Sequence, residues 1–132
     1  MIVLDASAAL ELLLNTATGK LIAREITNQG VTLHAPHLID LEIVHTLRRY
    51  VLKGAISEAQ AQALINYWLQ FDVVRYAHEP FIATIWQYRN NLTVYDAAYA
   101  VLAKVLDASL ITCDRALADI TASDGTIKVI SF

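Results

Sequence analysis

LITCDRAL, residues 110–117, is an apolar run that halts at an acid, Asp114. MIVLD, residues 1–5, repeats the pattern at the start of the chain and halts at Asp5. Each run is long enough for one buried strand, and in an open parallel sheet the crevice beyond the carboxyl ends of the strands is where ligands bind. Two aspartates delivered to strand ends are therefore the first indication of a site.

Working outward, Val- and Ile-rich runs also occur at residues 31–35, 72–76 and 127–131. With residues 2–4 and 109–112 they make five strands, separated by segments of helical length. Strands that read apolar on both faces and alternate with helices predict an α/β fold: a central, mostly parallel five-stranded sheet flanked by helices. Residues 37–53 and 57–70 predict two helices that form a hairpin inserted between the second and third strands. Gly54 is placed to end the first, Ser57 and Gln60 have the spacing of a capping box for the second, and Pro80 fits a first helical turn. At 132 residues the chain is sized for a single domain, 1–132, with a real core.

Composition narrows the function classes. The chain is 56% hydrophobic but only 8% aromatic, and a mean hydropathy of +0.43 leaves apolar surface over for a partner. Tyr67, Trp68 and Phe71, at the end of the helical hairpin, suggest a dimer surface and a groove for a protein segment; burial within the monomer is the other reading. A net charge of −3 and a pI near 5.7 argue against a broad basic surface for nucleic acid. Arg48, Arg49, Lys53, Arg89, Lys104 and Arg115 form either a local patch or a solvated face. The single cysteine, Cys113, excludes an internal disulfide and a cysteine metal knuckle; it reads as a small buried filler more than as a reactive thiol. No secretory signal or membrane span is apparent, so a soluble cytoplasmic protein is expected. The four histidines lack zinc-site spacing, and no GxGxxG, P-loop or GxSxG occurs.

The acids were weighed singly. Asp5 and Asp114 read equally as ligands at strand ends and as N-caps of the helices that follow, a role worth about 1 kcal/mol. Thr93 and Asp96 have capping-box spacing, which explains Asp96 without function; Ala97, Ala100 and Ala103, its neighbours on the helix, leave room for its carboxylate to meet something from outside. On the wheel of the helix over 37–53, Ile39, Ile43, Val44, Leu47 and Val51 define the apolar face and Glu42 falls opposite, where solvation is the default. Asp40 reads as a first-turn acid that complements the helix dipole.

Placed in order, IVLDASAALELL, LIDLEIVHTLRRYVLKGAIS and LTVYDAAYAVLAKVLDASLITCD make the chain resemble the PIN domain, in particular the single-domain toxins of VapBC toxin–antitoxin pairs. The likeness spans essentially the whole chain, and YDAAYAVLA followed by LITCD is its most specific combination. The resemblance implies an acidic metal pocket at the carboxyl edge of the sheet, formed by Asp5, Glu42, Asp96 and Asp114 and supported by the hydroxyls of Ser7 and Thr112. For Glu42 it overrides the solvated-face default. Some relatives carry a further acid after the fourth; here Leu117 interrupts that pattern and Asp119 is a doubtful substitute.

The chemistry that follows is metal-dependent hydrolysis of RNA phosphodiester bonds. Crowded carboxylates need raised pKa values or a cation, and oxygen-only ligands select a hard ion, Mg²⁺ or Mn²⁺. The resemblance also implies a cognate small antitoxin and a homodimer. Two rivals stand beside it: a non-catalytic PIN-like protein-binding module, against which the four acids count, and an aspartyl phosphotransferase of the haloacid-dehalogenase type, which wants a second aspartate where this chain has Ser7.

Overall fold

The computed structural model describes residues 1–132, with Gln29 described by its backbone alone. Its centre is β1 (Ile2–Leu4), in which every residue is fully buried. A strand without a solvent-facing side chain has to be covered on both faces, and this one lies between two other strands and two helical layers. β2 (Leu33–Pro36), β3 (Val73–Tyr76), β4 (Ser109–Thr112) and β5 (Val129–Ser131) complete one sheet in the order β3-β2-β1-β4-β5, with every pairing parallel. The sheet is thus wholly, not mostly, parallel.

Strand ends differ from the sequence reading by one or two residues. β2 starts at Leu33 and runs on through Pro36, which pairs with Tyr76. Val31 and Thr32 only lead into it, although the Thr32 carbonyl accepts from the Ile2 N–H. β5 starts at Val129, because Ile127 is buried under the sheet end before pairing begins.

Chain direction positions the site. From β1 the chain moves outward through β2 to β3, then crosses back to β4 and on to β5. The direction of winding reverses between β1 and β4, whose register pairs Leu4 with Ile111. The crevice beyond these two carboxyl ends is the topological switch point of the sheet.

α1 (Ala6–Leu13) and α2 (Ala17–Gln29) link β1 to β2, and α3 (Leu38–Leu52) and α4 (Glu58–Trp68) form the expected hairpin before β3. Gly54, with φ +73°, takes the left-handed conformation that turns the chain out of α3. The capping box is complete: the Ser57 hydroxyl accepts from the Gln60 N–H at 3.1 Å, and the Gln60 side chain accepts from the Ser57 N–H at 2.8 Å. Asp40 does more than complement a dipole. It accepts from the Trp68 indole N–H at 2.7 Å and from Arg75 Nε at 2.8 Å, joining α3, α4 and β3. Trp68 is therefore a core residue, 1% exposed, and not part of a partner surface; Tyr67, one position round the helix, is 54% exposed. Val44 also departs from its expected face and lies exposed beside the buried stripe of Ile39, Ile43 and Leu47.

After a 3₁₀ turn (Glu79–Phe81) carrying Pro80 come α5 (Ile82–Gln87) and α6 (Val94–Val105). α6 lies across β1, β2 and β4 and is buried from Ala97 to Ala103. Ala97, Ala100 and Ala103 are thus small to let the helix approach the sheet, not to clear space around Asp96. α7 (Arg115–Asp124) covers β4 and β5. Among the described residues no helix is long and apolar enough to cross a membrane.

The approach of α1 to α2 is closest at Gly19, where an added Cβ would lie 2.0 Å from the Glu11 carbonyl oxygen. Backbone has to move to relieve that contact. Gly19→Ala is expected to destabilise by about 1–3 kcal/mol even though alanine is the better helix former by about 1 kcal/mol. Urea unfolding checks this, and equal or higher stability of the variant would contradict the packing described.

Candidate active site at the carboxyl edge

Asp5 follows β1 directly and caps α1. Its Oδ1 accepts from the Ala8 N–H at 2.9 Å and from the Ser7 hydroxyl at 2.7 Å; its Oδ2 accepts from the Thr112 hydroxyl at 2.5 Å. The same two hydroxyls bind the opposite strand end, Ser7 Oγ accepting from the Cys113 N–H and Thr112 Oγ1 from the Asp114 N–H, both at 2.9 Å. Together with the Asp5 N–H bond to the Ile111 carbonyl, these contacts fasten the ends of β1 and β4 to each other. Asp5 is 4% exposed. Burial raises its pKa above the usual carboxylate range, against the pull of its three hydrogen bonds, and the charge of Asp114 adds to the rise.

Asp114 sits at the matching position after β4. It caps α7, accepting from the Leu117 N–H through Oδ1 at 3.0 Å, and is otherwise exposed. Asp96 lies in the first turn of α6, whose N-cap Thr93 accepts the Asp96 N–H at 3.1 Å; its side chain is half-buried.

Glu42 is not on a solvated face. It is half-buried, and the Tyr99 hydroxyl donates to its Oε1 at 2.8 Å. Burial raises its pKa first; the Tyr99 bond opposes this, and the charges of Asp5 and Asp96 raise it further. α3 begins at the carboxyl edge because it follows β2, and α6 begins there because it runs antiparallel to the strands. The Tyr99 hydroxyl of α6 reaches Glu42 on the side of α3 away from its core stripe, while His45 and Arg49 farther along that side are exposed.

The structure thus brings Asp5, Glu42, Asp96 and Asp114 to one edge, where their charges act on one another. It does not bring them into one ligand cluster: among the described residues, no three His, Cys, Asp or Glu side chains are close enough together to hold a metal ion. The free valences are nonetheless directed. Oδ1 of Asp5 is fully engaged while Oδ2 has one acceptor site left, and Glu42 and Asp114 each engage one oxygen in the bonds above.

Other candidates resolve into structure. Leu117 is a core residue, 1% exposed, and exposed Asp119 lines a separate depression with Cys113, Arg115 and Phe132. The Cys113 thiol is pushed up to about 11 by burial and by the charges of Asp5 and Glu11, so at neutral pH it is no nucleophile. His34 is held between Thr32 and Tyr76, and His78 accepts from the Leu38 N–H at the start of α3. Tyr99 was missed in the sequence. Its signal was its place three residues after Asp96, on the same side of α6. Its hydroxyl is held far above the ordinary tyrosine range by burial first and then by Glu42, and so remains a donor.

Comparison with known proteins bears on the family and the fold. The PIN domain family model matches residues 2–122. Ribonuclease VapC12 of Mycobacterium tuberculosis is 38% identical over 131 residues, spanning 99% of this chain and 100% of its own length. Ribonuclease VapC9 of the same organism is 39% identical over 131 residues, spanning 98% of each chain. Among solved structures, PAE2754 from Pyrobaculum aerophilum superposes with a TM-score of 0.71 at 25% identity, covering 97% of this chain and 81% of the other. Mycobacterium tuberculosis VapC20, described as a sarcin-ricin loop cleaving toxin, gives 0.70 at 14% identity and covers 98% of both chains.

The raised carboxyls set a pH dependence. A carboxyl whose folded pKa lies above its unfolded value contributes stability that is complete below the unfolded value, near 4.5 for Glu42, and is lost as pH rises through the folded one. With EDTA present, Glu42→Gln, which mimics the protonated side chain, is expected to melt at or above the wild-type temperature at pH 8, and to lose that advantage near pH 4. A wild type that outmelts the variant at pH 8 would contradict the electrostatics described.

Proposed function

The chain belongs to the PIN-domain family, and from that premise we propose that it is a metal-dependent endoribonuclease, the toxin of a type II toxin–antitoxin pair, acting as one PIN-like domain over residues 1–132. The observation that carries the reading is that Asp5, Glu42, Asp96 and Asp114 come to one edge of the sheet, where the charge of Asp114 acts on the buried Asp5 and the charges of Asp5 and Asp96 act on Glu42. The names of its 38–39% identical relatives, VapC ribonucleases, support RNA as the substrate class.

The donor set fits a hard divalent cation: it is all oxygen, and no histidine or cysteine takes part in it. Asp5, Glu42, Asp96 and Asp114 would hold Mg²⁺ or Mn²⁺. When bound, such an ion supplies Lewis acidity toward a phosphodiester and a more acidic attacking water. The chain's own part is orientation. Ser7 and Thr112 hold the Asp5 carboxylate in one pose, and the buried walls of β1 and β4 keep bulk water from Asp5. The separation of the acids favours one rival, a non-catalytic PIN-like module, and a cleavage assay decides between them.

We expect purified protein to cut structured RNA internally with Mg²⁺ or Mn²⁺ and not in excess EDTA. Asp5→Asn, Glu42→Gln, Asp96→Asn and Asp114→Asn should each remove most activity, and Thr112→Val should cost about 10–100-fold, as loss of a ligand-orienting partner does. Undiminished cleavage by any two of the four acid variants, or full activity in EDTA, would favour the module.

A cognate small antitoxin and a homodimer complete the proposal, with the cytoplasm as its compartment. Leu12, Ala23, Ile26, Leu33, Tyr67 and Phe71 line an apolar groove between α2 and the end of α4, suited to an antitoxin segment. Leu38, Ile82, Ile85, Val94 and Tyr95 line another, suited to a second copy. Expression alone is expected to arrest growth, and co-expression of the small gene beside it to relieve the arrest. Relief should weaken in Tyr67→Asp, read as colony counts on inducing medium.

A further inference from the structure

Of the four acids, Glu42 has the longest side chain. The carboxylates of Asp5 and Asp114 accept from helix N–H groups. The Glu42 carboxylate instead accepts from another element, the Tyr99 hydroxyl at 2.8 Å. The ring behind that hydroxyl is 2% exposed and locked in the core of α6, so the oxygen has little freedom to follow Glu42. The two ion pairs of the described residues, Arg75–Asp40 and Lys104–Asp124, lie elsewhere. We propose that Tyr99 is a positioning residue: by occupying Oε1 it turns the Glu42 carboxylate toward Asp5 and leaves Oε2 for a divalent cation.

This rests on the nuclease reading above. The competing account is that a buried tyrosine needs an acceptor and Glu42 happens to be it. That account places the whole effect of the bond in the fold. Positioning places it in cation affinity, where partners behind a ligand commonly contribute 10–100-fold.

The test is a Mn²⁺ titration by calorimetry without RNA, on wild type, Tyr99→Phe, Glu42→Gln and the double variant, with melting in EDTA alongside. Tyr99→Phe keeps the ring and should bind Mn²⁺ about tenfold or more weakly than wild type. The double variant should bind no worse than Glu42→Gln alone, because the hydroxyl acts only through that carboxylate. Wild-type affinity in Tyr99→Phe, or a further loss in the double variant, overturns the proposal while leaving the nuclease reading intact. Failure of wild type to bind Mn²⁺ up to about 10 mM, above the range of weak hard-ion sites, overturns both. Glu42→Asp guards against a misfolded Tyr99→Phe. It keeps the charge but draws it out of reach of the hydroxyl, so it should weaken binding similarly, and wild-type affinity there also overturns the proposal.

Discussion

A carboxylate buried between two strand ends is the constraint around which the rest of this structure is arranged. Asp5 is 4% exposed, and removing its charge from water has a cost that three hydrogen bonds offset only in part, since its pKa stays raised. Two of those bonds come from α1, through the Ala8 N–H and the Ser7 hydroxyl, and one from Thr112 of β4. The ends of the two central strands are thereby tied through the same side chain that opens the site. Ser7 and Thr112 each serve twice, as donors to Asp5 and as acceptors from the Cys113 and Asp114 amides. The site is therefore a joint of the fold as well as its most strained electrostatic region.

Gathering like charges requires something to offset their repulsion. For two charges about 4 Å apart at an effective dielectric near 20, repulsion is roughly 4 kcal/mol. Three of the four acids stand at a helix start, at the cap or in the first turn: Asp5 in α1, Asp96 in α6 and Asp114 in α7. Each helix N-terminus favours a nearby negative charge by about 0.3–1 kcal/mol. The dipoles lessen the repulsion without removing it at close range, which accords with acids that influence one another yet stand too far apart to share an ion unaided. On the proposed nuclease reading, a bound cation would draw them closer.

Much of this was legible in the sequence, for identifiable reasons. Apolar runs halted by acids mark strand ends, so Asp5 and Asp114 could be placed before any coordinates. The helical hairpin was legible because Gly54, Ser57 and Gln60 each have a local conformational reason to be there. Glu42 was not. A helical wheel equates the side opposite the core stripe with water, which holds for His45 and Arg49 but not for Glu42, which a side chain of α6 reaches. Tyr99 escaped for the converse reason: a ring in an alanine-rich helix reads as core, and so it is, but its hydroxyl emerges at the site. For Trp68 the sequence leaves surface and burial both open, because the partner that settles it inward, Asp40, lies 28 residues away.

Cap and ligand were posed as alternatives for Asp5 and Asp114, and the geometry removes the opposition. A capping carboxylate engages a backbone N–H through one oxygen, as Oδ1 does in both residues. The second oxygen belongs to a carboxylate whose freedom that bond restricts. In Asp114 that second oxygen projects from an exposed side chain; in Asp5 it is held by Thr112 with one acceptor site to spare. The cap thus supplies the orientation that a ligand needs. An aspartate at a strand end is explained by capping only to the extent of one oxygen, and what distinguishes a site from a cap is the company kept by the other. For Asp5 that company includes the charge of Glu42, whose Oε1 accepts from a tyrosine on a third element.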